Sequence, residues 1–216
     1  MYIFLLIAFP AFIFGWFLSE EKNERLSYGP LLVLGLLAAG FVCVIKSFFI
    51  FTSHLWTDSF IEGSWYLYYS EILLPCIIMF GLYLIFSKDP LDYKANAFIP
   101  LLGAFYTVFL PYKVLQLSEA ESLYTLFVKP VLYISMVIYI STFLKKIFKA
   151  KKDKSTIRII ANSAMILLFS IVPALLETFW YLGGTAFIYI PLALVYAVFA
   201  FVLYLKLRGI KLTKSK

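Results

Sequence analysis

The sequence predicts an all-α, polytopic membrane protein of seven transmembrane helices, with its amino terminus outside and its carboxyl terminus inside. Three observations carry this reading. Apolar residues make up 63% of the chain and charged residues only 14%, which leaves too little polar surface for a domain solvated by water. The apolar residues fall into seven runs, each near the roughly 20 residues needed to cross a hydrocarbon core about 30 Å thick. The basic residues gather in alternate gaps between the runs, and short loops rich in Lys and Arg stay on the cytoplasmic side.

The runs lie near 2–19, 30–51, 67–87, 97–113, 122–144, 159–181 and 185–205, in a single domain over 1–208 followed by a basic cytoplasmic tail, 209–216. No basic residue precedes the core of the first run, and no small-x-small cleavage pattern comes before Ser19-Glu20-Glu21, so it reads as a retained helix and not a signal peptide. Cys43 and Cys76 fall inside the second and third runs, where they act as small apolar packing residues, not as a disulfide or a metal site. The fourth run is the shortest, with Pro100 and Pro111 near its ends, so a tilted or broken helix is expected there. The fifth, sixth and seventh are bounded by the basic stretch 145–158 and by Lys206.

Lys22 and Arg25 follow the first run, Lys88 and Lys94 the third, seven basic residues between Lys145 and Arg158 the fifth, and five from Lys206 to Lys216 the seventh. Sixteen of the nineteen basic residues thus lie on one side. The net charge of +7 is therefore the positive-inside signal together with attraction to lipid head groups, with no nucleic-acid partner implied. The 145–158 loop reads as an anionic-lipid contact.

Proline suggests an internal repeat of helical hairpins after the first helix. Pro75, Pro130 and Pro191 lie 13, 15 and 15 residues before Lys88, Lys145 and Lys206. Pro111 and Pro173 precede the next of these prolines by 19 and 18 residues. Proline frees a carbonyl and bends a membrane helix where a neighbour satisfies the freed group.

Five charges lie within or at the edge of spans, and counting along each helix puts all five in the outer third: Lys46, Glu71, Lys113, Lys129 and Glu177. Embedded charges usually face the protein interior and pair with one another, so these residues are the candidate ligand-binding set. They would line an outward-open polar pocket, its surplus of ammonium groups suited to an anionic or zwitterionic ligand such as a lipid head group or a carboxylate. Snorkelling of side chains toward the interface is the plainer alternative. The segment 52–66 adds His54, Asp58 and Glu62 on the same side, and Trp56, Trp65, Trp180, Tyr66, Tyr68, Tyr69, Tyr124 and Tyr181 crowd that level, as an interfacial aromatic belt does.

A single histidine excludes bis-histidine haem ligation within this chain, and no Cys, His and carboxylate cluster has metal-ligand spacing. There is no His-Glu-x-x-His, no Gly-x-Ser-x-Gly, no phosphate-cradling loop, and no lysine at the middle of the seventh run for a retinal Schiff base. No cofactor is expected, and nothing in the residues supports enzyme activity.

The stretch Ser64-Trp65-Tyr66-Leu67-Tyr68-Tyr69, followed by Leu74-Pro75 and Phe80, resembles the outer part of the third helix in the seven-helix sensor modules of bacterial histidine kinases. That resemblance extends in pattern over 28–208 and implies an outside amino terminus, the hairpin arrangement and a bacterial inner membrane. No kinase, cyclase or other output domain follows Lys216, so signalling would pass through a separate protein partner. The leading expectation is a sensor, or an accessory subunit of a membrane complex, that binds a small or lipid-like ligand. A transporter built from repeated hairpins and a membrane-embedded enzyme are the alternatives.

Overall fold

Among the described residues the chain forms eight α-helices and two π-helical turns, with no strand; the computed structural model describes residues 25–49, 59–86, 98–116 and 122–207. The helices are α1 (Arg25–Phe49), α2 (Phe60–Leu67), α3 (Leu74–Phe86), α4 (Phe98–Gln116), α5 (Lys129–Lys152), α6 (Thr156–Ser170), α7 (Val172–Tyr181) and α8 (Ala186–Leu207). A π turn, Tyr68–Leu73, joins α2 to α3, and another, Tyr124–Val128, leads into α5. Taken with these joins, the helices make six segments long and apolar enough to cross a membrane, the architecture of a multi-pass membrane protein. The predicted first span, 2–19, lies outside the described residues, as do His54, Trp56, Asp58, Lys22, Lys88, Lys94 and the tail 209–216.

Several boundaries differ from those expected. The segment containing Glu71 begins at Phe60, because the Ser59 side chain accepts the Glu62 amide at 3.5 Å and caps a helix there. Glu62 therefore sits in a first helical turn. The fourth span is one unbroken helix, since Pro100 occupies its first turn, where no amide partner is needed. Helix α5 runs on to Lys152 because its lysines are good helix formers that carry the helix past the apolar run. It stops at a Schellman-type end, with Lys154 in the left-handed region at φ 52° and the Ser155 amide on the Ala150 carbonyl at 2.9 Å.

Helices α4 and α5 form the centre and are buried along most of their apolar length, whereas the α6–α7 segment and α8 are buried along only a small part of theirs. The outer helices turn residues such as Leu168, Phe187 and Phe199 outward, as lipid-facing surfaces do. The closest packing does not pair the second run with the third, the fourth with the fifth and the sixth with the seventh, as three repeated hairpins would: α1 lies along α4, α5 against α6 and α8, and α2 along α7. Gly35 explains the first of these. A Cβ there would intrude on the Leu101 carbonyl oxygen and come within 2.9 Å of Ala104 Cβ, a small-residue approach of the kind that drives helix association in lipid. Gly35→Leu is accordingly expected to cut the monodisperse yield in detergent several-fold. Gly40→Leu, whose Cβ meets nothing within 4 Å, should leave it unchanged, and size-exclusion chromatography of both variants decides.

The proline bends are closed by tyrosines from neighbouring helices. Pro75 cannot donate to the Glu71 carbonyl one turn earlier, and the Tyr106 hydroxyl donates to it instead at 3.1 Å. Pro173 leaves the Phe169 carbonyl, which accepts the Tyr196 hydroxyl at 2.8 Å. Pro75 and Pro130 each follow a π turn, in which the Leu74 and Lys129 amides reach five residues back to the Tyr69 and Tyr124 carbonyls. Pro191 lies inside regular helix.

Candidate functional site

At one end of the bundle α1 and α4 finish, α2 and α5 begin, and α7 closes. The basic α5–α6 hairpin occupies the opposite end. Four of the five embedded charges lie close to these helix ends: Lys46 in the last turn of α1, Lys113 in the last turn of α4, Lys129 as the first residue of α5, and Glu177 one turn before the end of α7. Glu71 comes from the first π turn. Tyr106 fixes that turn by its bond to the Glu71 carbonyl and packs its ring 5.0 Å from that of Tyr133 on α5.

Glu71, Lys113, Lys129 and Glu177 meet in one network. The Lys113 ammonium is 2.5 Å from Glu71 Oε2 and also bonds Glu177 Oε1. Lys129 Nζ lies 3.1 Å from the same Glu177 oxygen. The Tyr133 hydroxyl is 2.9 Å from Glu71 Oε2 and 3.1 Å from Glu177 Oε2. It carries a single proton, so the two carboxylates share one donor. Lys129 and Glu177 are 0% exposed, Glu71 and Lys113 4%. The side chains therefore turn inward and do not snorkel. Among the described residues the network's two ammoniums and two carboxylates sum to zero charge, which offsets part of the cost of burying four ionic groups.

Lys46 stands beside the network and not in it. Its ammonium lies 4.8 Å from the centroid of the Phe109 ring and within electrostatic range of Glu71, Lys113 and Glu177. The adjacent Ser47 and Tyr112 hydroxyls are 2.8 Å apart. Tyr133 was not among the candidates, yet a signal for it existed, since it lies four residues after Lys129 and so on the same helix face.

Part of the aromatic population converges on this end. Tyr124 stacks on Trp180 at 4.6 Å and meets Tyr189 edge-on at 5.3 Å, Trp180 packs on Tyr181 at 4.6 Å, and the Lys113 ammonium lies 5.8 Å from the Tyr181 centroid. Trp65 and Tyr69 are exposed and fit an interfacial belt. Helix α7, which carries Glu177, Trp180 and Tyr181, is a ten-residue piece between the Ile171 break and a Schellman end at Gly183 and Gly184. Gly183 takes φ 79°, a conformation that costs a Cβ-bearing residue about 1 kcal/mol.

Tyr106→Phe removes the donor that closes the Pro75 bend and leaves the Glu71 carbonyl buried without that bond. A loss of about 1–3 kcal/mol is expected, read as a lower thermal midpoint. An unchanged midpoint would mean that the bend is held by packing alone. No protein-family model matches this sequence, and no curated protein or solved structure matches it either, so the chemistry of the site rests on its own geometry.

Proposed function

We propose that this chain is a membrane-embedded ligand-binding protein, a sensor or an accessory subunit of a membrane complex, whose ligand reaches the Glu71–Lys113–Glu177–Lys129–Tyr133 network from the outer side. The observation that carries this reading is convergence: four ionic side chains and one hydroxyl, from a π turn and three helices, meet at one end of the bundle. Buried ionic networks are poor devices for stability alone, because well-packed apolar groups serve as well or better. Charges kept inside a membrane domain mark functional sites.

Beyond the network α5 is sealed by Met136, Val137, Tyr139, Ile140 and Phe143, and no further charged side chain is buried among the described residues. A site confined to one end supports binding over transport, for which a site at the midplane is the usual arrangement. Access calls for movement of α7 with its aromatic cover, about the Ile171–Pro173 break. In this reading the amino terminus is outside and the basic 145–158 hairpin rests on anionic lipid at the inner face. Output then passes to a separate protein.

Native mass spectrometry of protein purified in mild detergent tests the proposal. A co-purified small molecule or lipid is expected, diminished several-fold by Glu177→Gln and less by Glu71→Gln, since Lys113 and Lys129 both contact Glu177. Equal and negligible effects of the two substitutions would remove the site. Transport is the second reading, favoured by the π turn that carries Glu71 and the break one turn and more before Glu177, which are the irregular segments carriers use. Uptake into proteoliposomes that Glu177→Gln abolishes would support it.

A further inference from the structure

We propose that the ligand is a glycerolipid that enters between α2 and α7, and that the Ser64 hydroxyl donates to one of its ester carbonyls; this deepens the binding-site reading and rests on it. Buried hydroxyls give the first argument. Thr125, Ser135, Thr142, Ser170 and Thr178 are each hydrogen-bonded, most of them to a carbonyl one turn back. Ser64 and Ser70, 4% and 5% exposed, have no partner among the described residues. Both lie on the segment that carries Glu71. A buried hydroxyl without a partner bears the full cost of its desolvation, and an oxygen supplied by a ligand removes that cost.

Position is the second argument, because contacts on either side place Ser64 in the seam between the two helices. Gly63 packs on α7, where a Cβ would lie 3.0 Å from Thr178 Cγ2. The Tyr68 hydroxyl is 3.2 Å from Ser170 Oγ, at the end of α6 where α7 begins. Ser64 follows the first contact and stands one turn before the second, so it shares their face. The same segment exposes Trp65 and Tyr69, which mark the membrane interface, the level at which a glycerolipid carries its ester groups. Inward from Ser64 the seam leads to the network. Glu71 is seven residues further along one wall, about 10 Å, and Glu177 on the other wall immediately precedes Thr178. A molecule that reaches from Ser64 to Glu71 is longer than a free phosphate or a small carboxylate, and a lipid head group joined to its esters has that reach.

A competition between two lipids tests the contact. Purified protein is incubated with an equimolar mixture of dioleoyl phosphatidylglycerol and its dialkyl ether counterpart, which lacks both carbonyls, and the two adducts are counted by native mass spectrometry. Wild type is expected to favour the diacyl form about fivefold, the factor that one hydrogen bond of ordinary strength gives. Ser64→Ala should bring the ratio to one. Its thermal midpoint should not fall, since it removes a hydroxyl without a partner, and this sets a binding role apart from a structural one. Ser70→Ala should keep the wild-type ratio. Equal adducts in wild type, no adduct of either lipid, or a preference that Ser64→Ala keeps would overturn the proposal. Glu177→Gln holds this failure distinct from that of the binding site. If it diminishes the total lipid adduct, or a soluble molecule co-purified in place of lipid, the site stands and only the Ser64 contact or the lipid falls. Adducts indifferent to both Ser64→Ala and Glu177→Gln belong to lipid around the bundle and remove the site as well.

Discussion

Glu177→Ala is expected to cost about 3–5 kcal/mol, the range for removing one partner of a buried ion pair. Glu177 is 0% exposed and bonds Lys113, Lys129 and Tyr133 together. Without it Glu71 is the one carboxylate left in the network among the described residues, and Lys129 loses the oxygen 3.1 Å away. For a chain of this length a loss of that size lowers the thermal midpoint by roughly 10 °C, which a melting curve in detergent measures directly. Glu71→Gln should cost clearly less, because glutamine keeps an acceptor for Tyr133 while Glu177 still neutralises Lys113. Glu62→Gln, at an exposed carboxylate, serves as the baseline. A Glu177→Ala midpoint equal to that baseline would show that the network contributes nothing to the fold.

The membrane class and most of the site were legible because both depend on composition and on local counting. Apolar runs of sufficient length predict spans, and six were found among the described residues. The rarity of charge inside those runs isolated Lys46, Glu71, Lys113, Lys129 and Glu177, and four of these prove to be one network. What could not be read depends on complementarity between distant segments. Nothing in the pattern around Gly35 says that its partner is α4 and not α2, because the choice is made by the Leu101 carbonyl and Ala104 across the interface. The π turns escaped for a related reason. An extra residue per turn is a hydrogen-bond register, shown by Leu74 donating to Tyr69 and Lys129 to Tyr124, and no residue type encodes it, although Pro75 and Pro130 stand just beyond. Depth counting was also distorted at Glu71, since its helix begins at Phe60 and so places it about 16 Å along the segment. It meets Lys113 near the end of α4 all the same.

Lys113→Met is the second large effect, and its rescue separates stability from binding. Lys113 is the cation that touches both carboxylates; methionine keeps an unbranched apolar stem but leaves Tyr133 as the group that joins Glu71 to Glu177 among the described residues. A loss of about 3–5 kcal/mol is expected, again read as the thermal midpoint. Adding Glu71→Gln removes the carboxylate left over and restores a neutral set in which Lys129 pairs with Glu177. The double variant should therefore melt well above Lys113→Met alone, with a coupling of about 1–3 kcal/mol, as contacting residues show. Simple additivity of the two substitutions would mean that these groups do not share one charge balance. The rescued protein is also the cleanest test of purpose, because it folds with the balance intact and with two fewer charges. If it still carries the co-purified molecule, the pair Glu71–Lys113 is a structural brace for Lys129 and Glu177. If it folds and comes out empty, that pair belongs to the ligand.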